Sequence, residues 1–495
     1  MKIALKKLFQ QIGLLCDEDI EINGIEFDSR KINEGNLFVA ISGHISDGHT
    51  FIQAAVDNGA VAIIGEKELK KEVSVPYYQV ENSRSLLSKL ANAFFQEPQY
   101  KHKMIGITGT NGKTTSAYML HHILTSNGKT ASLIGTVGYI INGEQHESSL
   151  TTPDAITLQK MIFESKDEYV VMEVSSHGLD QYRVACQMFD YALFTNLTHE
   201  HLDYHLDLET YYQSKKKLFN CLKTEGKAIV GTYTHWGERL YRELYNEKIP
   251  VFSYGQKKRR ENIYLKSYTS TPTATLIVQD HGEEYQIHMK IPGKHNLLNA
   301  LGSYICARDI GFSPGEVIYA LEKFEGAPGR FEQILTPIGS KVIIDYAHTP
   351  DGLSHALETA TYCINNDLYH IFGFRGNRDR SKRKEMVEIS QKYCNHVYLT
   401  LDDLNGIEEE LMVKELFELS KPYANVTVIK DRSEAIYQAI GLLQNGDGLI
   451  ITGKGPEKYN EQYTYPTLTD KETVLRFLQE SIIYDEKYHN QEQQR

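Results

Sequence analysis

Thr108-Gly109-Thr110-Asn111-Gly112-Lys113-Thr114-Thr115 decides the fold. It follows the apolar run Met104–Thr108, which reads as a buried strand, and precedes a segment that sets Ala117, Leu120 and Leu124 on one helical face. Strand, glycine-bearing loop and helix in succession make a phosphate cradle, because the loop N–H groups converge on an anion and the helix N-terminus adds partial positive charge. Lys113 is placed to reach the β- and γ-phosphates of a nucleotide, and the Thr114 hydroxyl to ligate Mg²⁺. The general pattern G-x-x-x-x-G-K-S/T wants glycine at 107, where Ile107 stands, so Gly109 is out of register. A bare strand-to-helix turn is the competing reading, and Lys-Thr-Thr at the helix start weighs against it.

Outward from this loop, Tyr169–Val174 and Tyr191–Asn196 read as parallel strands whose C-terminal ends carry polar residues. Residues 261–291 alternate instead and contain Asp280-His281-Gly282, a hairpin signal, before a helix from about His295 to Ile310. Gly326-Ala-Pro-Gly329 is a breaker and a hinge, after which strand and helix alternate again through Val342–Tyr346, Leu368–Phe374, Val397–Leu401 and Leu449–Thr452. The first part has a helix over Leu8–Leu15, strands at Asn36–Ile41 and Val61–Ile64, and a helix over His49–Asn58. The expected class is α/β in three domains, 1–98, 99–331 and 332–495. The central one has a mostly parallel sheet with helices on both faces, and the last is Rossmann-like. The polar tail from Asp485 reads as frayed.

A chain of 495 residues is too long for one core. With 53 Lys+Arg against 65 Asp+Glu its net charge is −12, which disfavours non-specific nucleic-acid binding, so an anionic ligand must be held by local donors. Six cysteines without a CxxC pair read as reduced, buried thiols. No run approaches a membrane span or a secretory leader, so a cytoplasmic protein that binds no membrane is expected.

Two strand ends beside the loop carry chemistry. Met172-Glu173-Val174-Ser175-Ser176-His177 supplies a carboxylate, hydroxyls and an imidazole, and Phe194 to His205 adds His201, Asp203 and His205. Glu173 is the sounder Mg²⁺ ligand, with one histidine as a borderline partner; a solvated polar loop is the alternative. Tyr211-Tyr-Gln-Ser-Lys215-Lys-Lys reads on its face as a solvated basic helix turn. Asn296 and Asn299 lie three apart on one helical face, where capping or packing is as plausible as binding. The basic loop Gly376 to Arg383 suits a carboxylate.

The phosphate loop resembles that of the Mur ligase family, ATP-dependent amide-forming enzymes of peptidoglycan assembly, and the shortened register is that family's own. The strand-end segments and Thr151-Thr152-Pro153-Asp154 resemble the branch that adds the third residue of the stem peptide. The resemblance implies ATP and Mg²⁺ and a monomeric enzyme acting on UDP-MurNAc-L-Ala-D-Glu through an acyl phosphate. It implies Gly109, Thr110, Asn111, Gly112, Lys113, Thr114, Thr115, Asn299, Arg330 and Asp345 around ATP, with Asn299 at the adenine, Arg330 near the phosphates and Asp345 on the ribose. Thr114, Glu173, His201 and a carbamylated Lys215 would hold metal, with Lys113, Glu173, His201 and Lys215 catalytic and His205 or Asp203 assisting proton removal. Ser29 would touch the uridine nucleotide, and Thr151, Thr152, Ser175, Gln181 and Arg183 the rest of that substrate.

For the amino acid, the resemblance implies Arg383 on its α-carboxylate, together with Gly453 and Glu457; Pro456 replaces the histidine of Gly-Lys-Gly-His-Glu. Diaminopimelate-using members carry Asp-Asn-Pro-Arg, where this chain has Asp402-Asp403-Leu404-Asn405. The missing arginine and the Asp pair favour L-lysine or another diamino acid. Folylpolyglutamate and cyanophycin synthetase types, or a noncatalytic paralogue, are the alternatives.

Overall fold

The computed structural model describes residues 1–16, 18–43, 46–69, 71–255, 263–270 and 274–492, without the side chains of 202–203 and 482–492. Twenty-three strands are described, in five sheets. The short pair β1 (Ile3–Ala4) and β2 (Glu21–Ile22) is antiparallel. Next comes a parallel sheet ordered β3 (Gly24–Glu26), β4 (Asn36–Val39), β5 (Ala60–Gly65), β6 (Tyr77–Gln79). Leu37 and Val39 face one core and Phe38 and Ala40 another, the period-2 alternation of a strand covered on both sides.

The central sheet contains β7 (Lys103–Thr108), β8 (Ala131–Ile134), β9 (Tyr139–Ile141), β10 (Glu144–His146), β11 (Tyr169–Glu173), β12 (Phe189–Phe194), β13 (Leu222–Gly231) and β14 (Val251–Tyr254). Its order is β10-β9-β8-β11-β7-β12-β13-β14, antiparallel only at β10/β9 and β9/β8. Ile105, Ile107 and Val171 pack on one face, Met104, Val170 and Met172 on the other, so apolar runs here mean burial on both sides. The chain leaves β7 toward one side for β8 and β11 and returns to its other side with β12. That switch opens a crevice at the strand C-termini, where ligands of such sheets lodge.

The antiparallel sheet β15 (Ile263–Thr269), β16 (Ala274–Asp280), β17 (Glu283–Met289) turns at His281 and Gly282, both with positive φ (+49° and +96°), which confirms the hairpin signal. The helix Lys294–Ile310 lies between this sheet and the central one. It is buried on all sides from Asn296 to Ala307, which explains its lack of a polar face.

The last sheet contains β18 (Glu332–Leu335), β19 (Lys341–Ile344), β20 (Leu368–Phe374), β21 (His396–Leu401), β22 (Val426–Val428) and β23 (Gly448–Ile451). Its order is β18-β19-β23-β20-β21-β22, parallel except at β18/β19, again with a core on each face.

Three expectations shift. The first helix runs Leu5–Gln11 rather than Leu8–Leu15, because Gly13 turns at φ +77° and leaves Leu15 in solvent. The segment from His49 opens as a tight 3₁₀ turn, Gly48–Phe51, capped by Asp47, and becomes helix over Ile52–Asp57. The tail read as frayed from Asp485 continues as helix to the end of Asp470–Glu492, and its last residues, 493–495, lie outside the described ones. All six cysteines are free; Cys16, Cys306 and Cys394 are buried and the others half-buried. Among the described residues no helix is long and apolar enough to cross a membrane.

Candidate active site

β7 ends at Thr108 and the helix Lys113–Ser126 begins after four intervening residues, so the loop lies at the mouth of the crevice. Gly112 adopts φ +87°, and a Cβ there would sit 2.4 Å from Asn299 Oδ1, so only glycine lets the loop close on the all-buried helix. Asn299 is 3% exposed and packs against this glycine, while Asn296 Nδ2 donates to the Pro292 carbonyl, a packing role. Lys113 Nζ donates to the carbonyls of Gly109 (2.9 Å) and Thr110 (2.8 Å), folded over the loop that an anion would fill. Burial draws its pKa below the usual lysine value.

Glu173, at the end of β11, is fully buried. Its carboxylate accepts from Thr114 Oγ1 (2.9 Å), Thr136 N (2.8 Å) and Thr136 Oγ1 (3.0 Å). Arg330 Nη2 donates to the same Thr114 oxygen at 3.1 Å while its guanidinium stacks 4.2 Å from the Tyr346 ring. A hydroxyl and a carboxylate in contact beside a phosphate loop offer the hard oxygen donors that Mg²⁺ takes alongside phosphate and water, so this pair fits the expected ion. Among the described residues no three His, Cys, Asp or Glu side chains form a ready cation cage. His201 and Lys215 gather around Tyr211: the His201 and Tyr211 rings are 6.1 Å apart and Lys215 Nζ is 4.3 Å from the ring centroid.

Lys215 corrects the solvated-turn reading. It is 1% exposed, donates to the Gly109 carbonyl at 2.8 Å, and makes no ion pair with a carboxylate among the described residues. Burial, then the nearby charge of Lys113, pulls its pKa well below the ordinary value. His201 has a positive φ of +57°, and burial lowers its pKa to about 4. His205 is 3% exposed, lies 3.0 Å from Ser176 Oγ, and is likewise lowered to about 4 by burial; enclosed and committed to a serine, it is not placed to take a proton from an incoming amine. The Asp203 side chain lies outside the described ones.

The segment beyond β11 gathers the expected substrate residues. Arg183 donates to the Thr152 carbonyl (2.7 Å) and to Gln181 Oε1 (2.7 Å), and Thr151 Oγ1 meets Thr136 Oγ1 at 3.0 Å. Thr152 needs correction: its hydroxyl is fully enclosed, donating to the Glu173 carbonyl and accepting from Ser175 N, so it fixes the strand end rather than offering a contact. Ser29 is 8% exposed in a separate sheet unit, with its carbonyl held by Asn58.

The strand ends of the last sheet face this crevice across a cleft of about 630 Å³, lined by His201, Tyr346, His348, Arg375, Arg378 and Gly453 among others. Contacts already cross between the two sheets: Asn111 Nδ2 donates to Asp351 at 3.1 Å, and His348 Nε2 lies 3.1 Å from Glu200 Oε1. Burial would raise the Glu200 pKa, but the His348 contact holds it well below the usual carboxylate range. Both Asp345 oxygens accept backbone N–H groups, from Phe331 and Ala347 (2.7 Å each), which ties the hinge to β19; burial raises its pKa. Pro456 occupies the space a side chain at Gly329 would need, a Cβ there lying 2.4 Å from its ring, so the histidine replacement packs on the hinge.

Two further expectations are corrected here. Arg383 is buried, 3% exposed, with its guanidinium paired to Glu415 (2.7 Å) and donating to the Arg375 carbonyl, so it is not free to grip a carboxylate. The Asp pair is not open either, because buried Lys454 bridges Asp402 (3.0 Å) and Asp403 (2.7 Å). The sequence reading missed Arg375 and Arg378 as separate groups, Glu200, and Thr136. An arginine directly after a buried strand was the available signal for Arg375, and a charged residue in the loop beyond a strand end for Arg378 and Glu200; Thr136 carried none.

The Mur ligase middle domain family matches residues 107–307, the Mur ligase glutamate ligase domain 329–455, and the Mur ligase family catalytic domain 21–95. UDP-N-acetylmuramoyl-L-alanyl-D-glutamate–2,6-diaminopimelate ligase 1 of Clostridium acetobutylicum is 37% identical over 468 residues, covering 92% of this chain and 95% of that protein. The diaminopimelate ligase of Fusobacterium nucleatum is 39% identical over 449 residues, covering 89% and 90%. A solved structure of a UDP-N-acetylmuramoyl-L-alanyl-D-glutamate–2,6-diaminopimelate ligase superposes with TM-score 0.68 at 26% identity, over 97% of this chain and 99% of that one. MurF from Thermotoga maritima in complex with ADP shares the fold at TM-score 0.63 and 19% identity, over 93% and 98%.

Proposed function

Because this chain belongs to the Mur ligase family and is an ATP-dependent amide ligase of peptidoglycan synthesis, we propose how its parts divide the addition of the third stem-peptide residue. Residues 1–98 hold the uridine nucleotide near Ser29, residues 99–331 bind ATP and the D-glutamyl end of UDP-MurNAc-L-Ala-D-Glu, and residues 332–495 bring the amino acid. The carrying observation is the meeting of Arg330, from the hinge, with Thr114 and Glu173 beside the phosphate loop, which supports a phosphate donor and a closing unit acting at one point.

A carboxylate is a poor acylating agent, since attack by an amine would have to expel oxide. Phosphorylation of the D-glutamyl γ-carboxylate replaces that leaving group with phosphate: a carboxylate oxygen bonds to the γ-phosphorus as the bond to ADP breaks. Lys113 then swings from the Gly109 and Thr110 carbonyls to the phosphates, where Arg330 joins it in offsetting developing charge. Thr114 and Glu173 would hold Mg²⁺, which when bound supplies charge neutralisation at the phosphate oxygens. Lys215, a buried amine with no carboxylate partner, suits attack on CO₂, and its carbamate would place an anion where the unmodified side chain repels a cation. Arg183, Gln181 and Thr151 hold the glutamyl substrate while Ser175 and Thr152 brace the strand end. In the cleft Arg378, exposed and unpaired among the described contacts, takes the α-carboxylate in place of Arg383. The free amine attacks the acyl carbon and phosphate leaves. Closure of the third domain keeps water from the acyl phosphate.

The amino acid is a diamino acid. The relatives are named for 2,6-diaminopimelate, and the Asp pair that favoured lysine is neutralised by Lys454. The test is product analysis with UDP-MurNAc-L-Ala-D-Glu, ATP and a panel of amino acids. ADP and phosphate released only with both substrates present are expected; AMP and pyrophosphate would overturn the scheme.

A further inference from the structure

Tyr346 touches both the phosphate-loop side and the cleft side of the site. On one side the Arg330 guanidinium stacks 4.2 Å from its ring centroid, and that guanidinium donates to Thr114 Oγ1 beside the phosphate loop. On the other, the Tyr346 hydroxyl donates to Glu457 Oε1 at 2.8 Å, and Arg375 Nη2 donates to the second oxygen of the same carboxylate. Arg375 directly follows β20 and lines the cleft. Arg330, Tyr346, Glu457 and Arg375 therefore form an unbroken line of contacts from the phosphate loop to the cleft. The backbone at Tyr346 is held: the Asp345 carboxylate accepts from Phe331 N and Ala347 N, and a Cβ at Gly455 would lie 3.0 Å from Tyr346 Cβ, so the loop after β23 packs on the base of the ring. A tyrosine side chain has only two torsions, so a shift of the stacked guanidinium is passed on to the hydroxyl. Arg330 is the movable member. Its Nε is enclosed and has no hydrogen-bond partner among the described residues, so turning from Thr114 to an anion satisfies a donor that is stranded here.

We propose that Tyr346 is a positioning residue that couples the nucleotide to the amino acid: a phosphate that fixes Arg330 fixes the ring, and the hydroxyl then holds Glu457 and Arg375 in the arrangement that admits the amino acid. This rests on the ligase reading above and adds to it a coupling between two substrates that passes through one hydroxyl. The element with two arrangements is Arg330, on Thr114 Oγ1 as seen here or on phosphate oxygens, and both ligands bias it. Linkage runs in both directions, so an amino acid in the cleft tightens the nucleotide by the same factor. Without the hydroxyl the ring still stacks on Arg330, but Glu457 Oε1 loses its donor and the line breaks at a single bond. Glu457 and Arg375 would then pair with each other whether or not a nucleotide is bound.

The test is calorimetric titration of the full chain, in saturating UDP-MurNAc-L-Ala-D-Glu and Mg²⁺, with whichever of meso-diaminopimelate and L-lysine supports phosphate release from ATP. Each titration is run without nucleotide and with saturating β,γ-methylene-ATP, whose terminal phosphate is not transferred. Wild type should bind the amino acid at least about tenfold more tightly with the analogue present. Tyr346→Phe should bind the analogue alone within about twofold of wild type, while the effect of the analogue on the amino acid falls below about threefold. The reverse titration, analogue with and without amino acid, should return the same factor in each protein, and it supplies the factor where the amino acid alone binds too weakly to measure. A merely structural role would weaken both arms equally and leave the ratio untouched. Glu457→Gln still offers an oxygen to the hydroxyl, so it should weaken the amino acid in both arms yet keep at least about fivefold coupling, a reading that stands even where Tyr346→Phe melts below wild type. A wild-type factor under about twofold, a wild-type factor retained in Tyr346→Phe, or coupling lost in Glu457→Gln overturns the proposal while leaving the ligase reading intact. No phosphate release with either amino acid overturns both.

Discussion

Lys454→Met should destabilise the C-terminal sheet unit by about 3–5 kcal/mol, the cost of leaving buried charge uncompensated. The lysine is 0% exposed and its ammonium bridges Asp402 and Asp403, 2% and 8% exposed, so its removal strands two carboxylates with little water to receive them. At about 2–4 °C per kcal/mol for a unit of this size, the loss is a drop of roughly 6–20 °C in its melting transition, read by calorimetry near pH 7. Asp403→Asn placed on top should recover more than about 1 kcal/mol, because one stranded charge is then gone. The pH dependence has a definite sign. Burial pushes the Asp402 carboxyl up, but Lys454, Arg432 and Arg375 hold it below the usual value. Its contribution is therefore complete above about pH 4 and lost as pH falls through the folded value. In Lys454→Met that loss should begin at higher pH. A melting shift under about 2 °C, with an unchanged acid limb, would refute the bridging role and reopen the Asp pair to a substrate ammonium.

Gly112→Ala should raise the KM for ATP at least about tenfold, since its φ of +87° strains alanine and its Cβ would meet Asn299; a loss of only the amino-acid KM would contradict this, and nucleotide titration is the check. Rates measured in CO₂-depleted buffer should fall and return on adding bicarbonate, while Lys215→Arg should show no bicarbonate response; an unresponsive wild type would exclude the carbamate. His370, fully buried between Ser390 and Thr452, has its pKa lowered by burial to about 3. The unfolded state therefore binds the proton first, and stability should decline as pH falls from 6.5, by up to about 1.4 kcal/mol per pH unit from this group. Denaturant titrations should show that slope flattened in His370→Asn. Glu200→Gln should weaken the link to His348 and raise the amino-acid KM more than the ATP KM, and the reverse order would remove Glu200 from the closing contact.

What was legible in the sequence was local. The phosphate loop, its strand and helix, and the residues after β11 and β12 were readable because a strand end, a turn and a helix start follow one another in the chain. Pairings between distant strand ends were not. Lys454 meets Asp402 from 52 positions away, and nothing near Asp402-Asp403 indicates that a buried lysine closes the pair. Arg383 stood in the loop that looked right for a carboxylate, and it borders the cleft with Arg375 and Arg378, but it is 3% exposed and its guanidinium is paired to Glu415 at 2.7 Å, a partner from a helix far along the chain. Lys215 looked like a solvated charge because a helix of nine residues, Leu208–Lys216, gives no periodic signal strong enough to mark its buried face. The burial of Thr152 followed from its place under Gly178, a contact between segments some twenty-five residues apart.

The most direct measurement follows an oxygen atom. With the D-glutamyl γ-carboxylate of UDP-MurNAc-L-Ala-D-Glu labelled with ¹⁸O, one labelled oxygen should appear in the inorganic phosphate released for each amide formed. Unlabelled phosphate alongside full amide yield would contradict activation of that carboxylate by ATP.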